Sequence, residues 1–91
     1  MVKFMYNGIK IDGKLHKASY SKGPFTNMPD GTITIYAKNY TRLPAVDGLT
    51  IQNNTDIMTD YFECDKVRVF PTNKHYPAVL AAHEKQMNRR A

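Results

Sequence analysis

The segment TITIYAK, residues 32–38, alternates apolar and polar side chains without a break. Ile33, Ile35 and Ala37 fall on one face of an extended chain, and polar side chains fall on the other. β-Branched and aromatic residues favour strands. This segment therefore predicts a strand over 32–38 with one face buried, and the neighbouring segments can be placed relative to it.

Residues 1–21 contain two dipeptides that favour tight turns, Asn7-Gly8 and Asp12-Gly13. Both residues of such a pair accept positive φ, as the two-residue turn of a β-hairpin requires. We place the turn of an N-terminal hairpin at Asp12-Gly13 and interpret Asn7-Gly8 as a bulge or bend within the first arm. Residues 22–31 hold two prolines and two glycines, which predict a loop.

After the central strand, residues 39–58 show no sustained period, and Pro44 and Gly48 interrupt them. We expect a long connection with at most a short strand at 49–51. Connections longer than about 12–15 residues are usually functional or mobile in small domains. This segment is therefore a candidate contact region.

Residues 59–70 predict a further strand, but its apolar residues move from even to odd positions along the segment. Phe62 and Cys64 occupy even positions, whereas Val67 and Val69 occupy odd ones. A flat strand would place these two pairs on opposite faces, so we expect a bend near 63–65. Cys64 is interpreted as a small buried hydrophobic residue, because the neighbouring acids disfavour the thiolate that catalysis or metal binding needs.

Residues 76–90 predict a C-terminal helix that starts near Pro77. Its apolar side recurs at helical spacing, in the stripe Tyr76, Val79, Leu80, His83 and Met87. Together these segments predict a single α+β domain over residues 1–91. We expect an antiparallel sheet of three to five strands with the helix packed on one face.

The charges divide the chain into three blocks. Residues 1–46 carry seven Lys or Arg and two acids, residues 47–65 carry five acids and no base, and residues 66–91 carry six bases and one acid. The formal net charge is +5. A protein that only coats a phosphate backbone gains from one continuous basic face, so the acidic block points either to a protein partner or to a solvated loop elsewhere.

The sequence offers no catalytic set that we can assign. HEKQM, residues 83–87, has a methionine where a zinc-protease helix has its second histidine, and the five glycines do not form a phosphate-binding loop. With one cysteine and three scattered histidines, we expect neither a metal nor another cofactor. We predict a protein that is not an enzyme, is not membrane-bound and resides in a reducing cytoplasm.

Tyrosines next to Lys and Arg leave direct nucleic-acid binding open as a function. The segments KASYSKG, IYAKNYTR and KHYPAV show this pattern, and tyrosines on a sheet face can stack on single-stranded bases. The candidate contacts for nucleic acid are Lys38, Tyr40, Arg89 and Arg90.

Three segments resemble a known family: GTITIYAKNY, NNTDIMTDYFECDKVRVFP and HYPAVLAAHEKQMNRR. They look like the large polyvalent protein-associated domain of multidomain proteins from conjugative elements and phages, over about residues 31–90. The hairpin FMYNGIKIDGKLHKA is similar only to small stand-alone proteins of the same elements. Some small proteins of this kind act against host defence, including as anti-CRISPR proteins.

The resemblance implies a non-enzymatic inhibitor that binds an RNA-guided nuclease in a bacterial host cell and blocks nucleic-acid loading or cleavage. Separate acidic and basic segments suit such a partner. The expected partner-binding residues are Asp56, Asp60, Tyr61, Glu63, Asp65, Arg42, Lys66 and Arg68. The alternative is a nucleic-acid-binding accessory protein of conjugation or phage replication, and a third possibility is a purely structural or assembly module. The sequence does not indicate an oligomeric state.

Overall fold

The structure is a computed structural model that describes residues 1–38, 41–56 and 62–90, and the side chains of these except 53–56, 62, 63 and 90. The described residues form six strands and one helix. The elements are β1 (Val2–Met5), β2 (Gly8–Ile11), β3 (Lys14–Lys22), β4 (Ile33–Ala37), β5 (Ile51–Asp56), β6 (Phe62–Val69) and α1 (Tyr76–Arg90). The strands pair antiparallel in one sheet, in the order β1-β2-β3-β4-β6-β5. The predicted α+β class is confirmed, although the sheet has more strands than expected.

The N-terminal region forms two consecutive hairpins rather than one. At the second turn, Asp12 and Gly13 both have positive φ, as the sequence predicts. The bulge expected at Asn7-Gly8 is wrong, because Met5 pairs with Gly8 across a further tight turn. Gly8 is needed there since a Cβ at this position would lie 2.1 Å from the carbonyl oxygen of His16. The close approach of β3 therefore explains this glycine.

The bend expected near 63–65 is also wrong. β6 pairs with β5 without interruption from Ile51 opposite Val67 to Asp56 opposite Phe62. The change of parity arises because both faces of β6 are covered at this point, so that Cys64 and Asp65 are both buried. The long connection predicted over 39–58 is shorter than expected, because β5 occupies its second half.

The helix covers one face of the sheet, which we call the covered face. Ile33 and Ile35 of β4 are fully buried with Val67 and Val69 of β6, and Val79 of the helix belongs to the same core. These side chains share one face because they lie opposite each other in the pairing of β4 with β6. Their burial is the main source of stability in a chain of this length.

The helix buries a different residue at its C-terminal end from the one expected. Met87 was predicted in the buried stripe, but it is 51% exposed, and Gln86 is buried instead. The Tyr20 backbone N–H donates to Oε1 of Gln86 (3.1 Å), and Nε2 of Gln86 donates to the Tyr6 carbonyl (2.8 Å). These backbone groups of β3 and the first turn need partners, so a glutamine is required where hydrophobic periodicity favours methionine.

Candidate functional site

A basic groove lies where β3 continues past the end of β4. β3 pairs with β2 through its first four residues and with β4 through its last five, and the Lys38 N–H then donates to the Lys17 carbonyl (3.3 Å). β4 ends at Ala37, one residue before this contact. The resulting groove has a volume of about 400 Å³ and is lined by Lys14, Leu15, His16, Lys17, Lys38, Thr41 and Arg42.

This basic groove concentrates positive charge. Four of its lining residues are lysine or arginine, and the lining that the structure describes includes no carboxylate. Lys14, Lys17 and Lys38 are exposed, so their ammonium groups can reach a ligand without a large desolvation cost. A groove with one sign of charge raises the local concentration of anions.

Asp65 is one of the acids expected to bind a partner, but its side chain contacts other residues of the protein. Its side chain is buried; Oδ2 accepts a hydrogen bond from the Leu43 N–H (2.7 Å), and Oδ1 lies 3.5 Å from Nη1 of Arg42. The Asp65 N–H also donates to the Thr41 carbonyl (3.3 Å). Asp65 therefore holds one wall of the basic groove against β6 and partly neutralises Arg42.

The other described side chains of acids near the sheet edges are also paired. Asp47 binds Lys74 (2.6 Å), and the hydrogen bond and charge of Lys74 hold the pKa of Asp47 below its usual value. Asp12 binds the N-terminal ammonium (2.8 Å), which lowers the pKa of Asp12 in the same way. Both carboxylates have cations of their own and lie outside the lining of the basic groove.

The face of the sheet opposite the helix, which we call the open face, carries a fixed arginine. Thr34 and Arg68 lie opposite each other in the pairing of β4 with β6, and Arg68 Nη1 donates to Thr34 Oγ1 (3.1 Å). The Arg68 guanidinium carbon lies 5.1 Å from the centre of the Phe25 ring, within the range of a cation–π contact. The loop at 22–31 therefore returns to the sheet through Phe25 and orients Arg68.

A second groove lies beside this arginine, at the edge formed by β5 and β6. Its volume is about 360 Å³, and its lining residues are Gly48, Thr50, Gln52, Arg68, Phe70, Thr72 and Asn73. We call it the Phe70 groove, because the Phe70 side chain is 41% exposed there. Asn73 Nδ2 donates to the Gly48 carbonyl (2.9 Å) and so connects two parts of the rim.

The remaining predicted contact residues are placed only in part. Lys66 is half-buried on the open face, opposite Tyr36, and the Arg89 guanidinium carbon lies 4.1 Å from the centre of the Tyr6 ring. Tyr40, Asp60 and Tyr61 lie outside the described residues, as do the side chains of Asp56, Glu63 and Arg90. Among the described residues, Lys38 and Arg42 both line the basic groove, whereas Arg89 lies beside the first turn.

Two of the described tyrosines form hydrogen bonds inside the protein. The Tyr20 hydroxyl donates to the Gly8 carbonyl (2.9 Å), and burial raises the pKa of this phenol above its ordinary value of 10.0. The Tyr76 hydroxyl donates to the Gly31 carbonyl (2.9 Å). Among the described tyrosines, Tyr36 lies on the open face.

Sequence reasoning missed Lys14, Lys17, Phe25 and Phe70 as site residues. Only the strand register, which is established on folding, could have grouped them.

The described residues contain no group of three or more His, Cys, Asp or Glu side chains placed to hold a metal ion. The Cys64 thiol is buried at 4% exposure. Among the described residues, no helix has the length and apolar character needed to cross a membrane.

Comparison with family models, with curated proteins and with solved structures gives no match to this chain.

Proposed function

We propose that this protein binds nucleic acid directly and without catalysis, through phosphate groups held in the basic groove. The observation that carries the proposal is the cluster of Lys14, Lys17 and Lys38 around one groove whose described lining has no carboxylate. Lysines bind phosphate as flexible point charges, which suits a backbone whose spacing varies. Such contacts supply affinity without reading sequence.

Arg42 contributes less than the lysines in this proposal, because Asp65 already lies beside its guanidinium group. The function corresponds to the accessory role in conjugation or phage replication that the sequence leaves open. It includes a location in the bacterial cytoplasm, where such nucleic acid is accessible.

The test is the salt dependence of binding to a fluorescently labelled oligonucleotide, measured by anisotropy between about 50 and 200 mM salt. For a single strand, log Kd should change with log salt by roughly 0.7 per phosphate neutralised. The double variant K17A/K38A should weaken binding and reduce that slope by about 1.4, since two contacts are lost.

The matched control is K22A/K85A, which removes two exposed lysines outside the basic groove, one at the far end of β3 and one on the helix. It lowers the net charge by the same amount and should leave most of the affinity and slope unchanged. Equal losses in the two double variants would show that binding depends on net charge alone. Absence of binding by the wild-type protein at low salt would overturn the proposed function.

The inhibitor of an RNA-guided nuclease is the second candidate, and its support is the acidic block of the sequence. Asp47 and Asp65 of that block have internal cationic partners, so Asp56, Asp60 and Glu63 are the acids that a partner would use. Changing these three to lysine should weaken inhibition if the protein binds a nuclease through them. Under direct nucleic-acid binding, the same change should leave oligonucleotide affinity unchanged or increase it.

A further inference from the structure

The open face connects the two grooves along the strands of the sheet. Tyr36 lies opposite Lys66 in the pairing of β4 with β6, so Lys38 at the basic groove lies level with Cys64, and Phe70 lies six residues further along. At about 3.3 Å per residue, this path is about 20 Å long. One extended ligand can therefore contact both grooves.

This path is positively charged along its length. Lys66 and Arg68 lie on the open face between Lys38 and the Phe70 groove, and the open-face positions of β4 and β6 along this stretch hold no acid. A polyanion that begins in the basic groove would meet further cations in the direction of Phe70. The charge thus favours a nucleic-acid strand over an acid-poor peptide as the occupant.

The Phe70 groove has features that suit a nucleobase. Phe70 is partly exposed, although it is a large apolar residue, and it shares the groove with the Arg68 guanidinium group and the Gln52 side chain. Aromatic rings and guanidinium planes stack on bases, and an amide can hydrogen-bond to a base edge. The volume of about 360 Å³ is at the small end of ligand-binding pockets.

Arg68 is oriented before any ligand binds. Its contact with the Phe25 ring and its hydrogen bond to Thr34 hold the guanidinium plane at the side of the groove. Less rotamer freedom is then lost when a base stacks against it. A lysine at this position would keep the charge and lose the planar surface.

We propose that the open face binds single-stranded nucleic acid, with its phosphates along Lys17, Lys38 and Lys66 and a base stacked in the Phe70 groove. This inference rests on the proposed function and adds a second contact site and a class of ligand. A duplex does not fit this site, since its bases are stacked on one another and their faces are not available.

The experiment compares three labelled ligands by anisotropy at one salt concentration. They are an oligothymidylate of about 15 nucleotides, an abasic oligonucleotide of the same length and a hairpin duplex with the same number of phosphates. The wild-type protein should bind the oligothymidylate most tightly. The variant F70A should lose roughly tenfold in affinity for the oligothymidylate and little for the abasic strand, because stacking on one base is removed.

Two further variants sharpen this test. R68K retains the charge and should lose affinity for the oligothymidylate and not for the abasic strand. M87A removes a comparably exposed apolar side chain from the helix and should change neither affinity. Thermal melting of F70A and M87A should match the wild-type protein, since Phe70 and Met87 are exposed. R68K loses the hydrogen bond to Thr34, so its affinities are measured well below its own melting temperature.

The outcomes separate this inference from the proposed function. Equal wild-type affinity for the oligothymidylate and the abasic strand, with K17A/K38A still weakened, would overturn the base site and leave phosphate binding intact. Tighter binding of the duplex would likewise overturn the single-strand proposal. Failure to bind all three ligands would overturn both.

Discussion

The two faces of the sheet use the same strands for different purposes. On the covered face, Ile33, Ile35 and Val67 are almost fully excluded from solvent, in the core to which Val79 of the helix belongs. On the open face, Thr34 of β4 is equally buried, and it accepts a hydrogen bond from Arg68 of β6, whose guanidinium group also contacts the Phe25 ring. Alternation along a strand therefore separates an apolar core from a polar layer that carries Arg68, so that substitutions at adjacent positions should have different effects.

The largest expected effect comes from the covered face. Ile35→Ala should lower the free energy of unfolding by about 3 kcal/mol, because it removes buried methyl groups and leaves a cavity. Urea denaturation followed by circular dichroism measures this change. Ile35→Val is the control and should cost about 1 kcal/mol. An Ile35→Ala protein with the wild-type midpoint would show that the core has been assigned to the wrong face.

Asp65→Asn tests whether the buried acid belongs to the interior or to a partner-binding surface. We expect a loss of about 2 kcal/mol, because the anion that accepts the Leu43 N–H and faces Arg42 is replaced by a neutral amide. The control Asp47→Asn disrupts an exposed ion pair and should leave the urea midpoint unchanged. If Asp65→Asn retains full stability, the structural role of Asp65 is wrong.

Tyr20 predicts a pH dependence of stability. Burial raises its pKa above the ordinary value of 10.0, so the unfolded chain releases this proton at lower pH than the folded protein does. The raised pKa of Tyr20 contributes fully to the free energy of unfolding below pH 10.0. Above pH 10.0 this contribution decreases by up to about 1.4 kcal/mol per pH unit.

Denaturation of the wild-type protein and Tyr20→Phe at pH 8, 10 and 11 isolates this contribution from the other groups that titrate. Tyr20→Phe should be less stable at pH 8, because it loses the hydrogen bond to Gly8, and the difference should shrink as the pH rises. A constant difference across this range would contradict the raised pKa.

The smallest effect is expected at Cys64, which belongs by register to the open face but is 4% exposed. Cys64→Ala should cost about 1 kcal/mol through lost packing and should leave oligonucleotide affinity unchanged. Denaturation and anisotropy on the same preparation test both parts. Loss of oligonucleotide binding with normal stability would show that Cys64 belongs to the binding site and not only to the interior.

Long-range contacts limited how far the site could be predicted. The residue types of the basic groove are visible in the sequence, and Lys38 and Arg42 were expected contacts. Lys14 and Lys17 join them because β3 extends beyond β4, which depends on strand register. The pairing of Phe25 with Arg68 similarly joins a loop to a distant strand. Neither arrangement has a local sequence signal.

By itself the sequence determined the features that arise within a few residues: the alternating strand at 33–37, the turn at Asp12-Gly13 and the C-terminal helix. Periodicity and backbone preference act locally, so the residues are sufficient. Only the tertiary structure decided the turn at Tyr6-Asn7 with Gly8 after it, the burial of Asp65 and the choice of Gln86 over Met87. Each depends on backbone groups from a distant segment that need a hydrogen-bond partner or leave no room for a side chain.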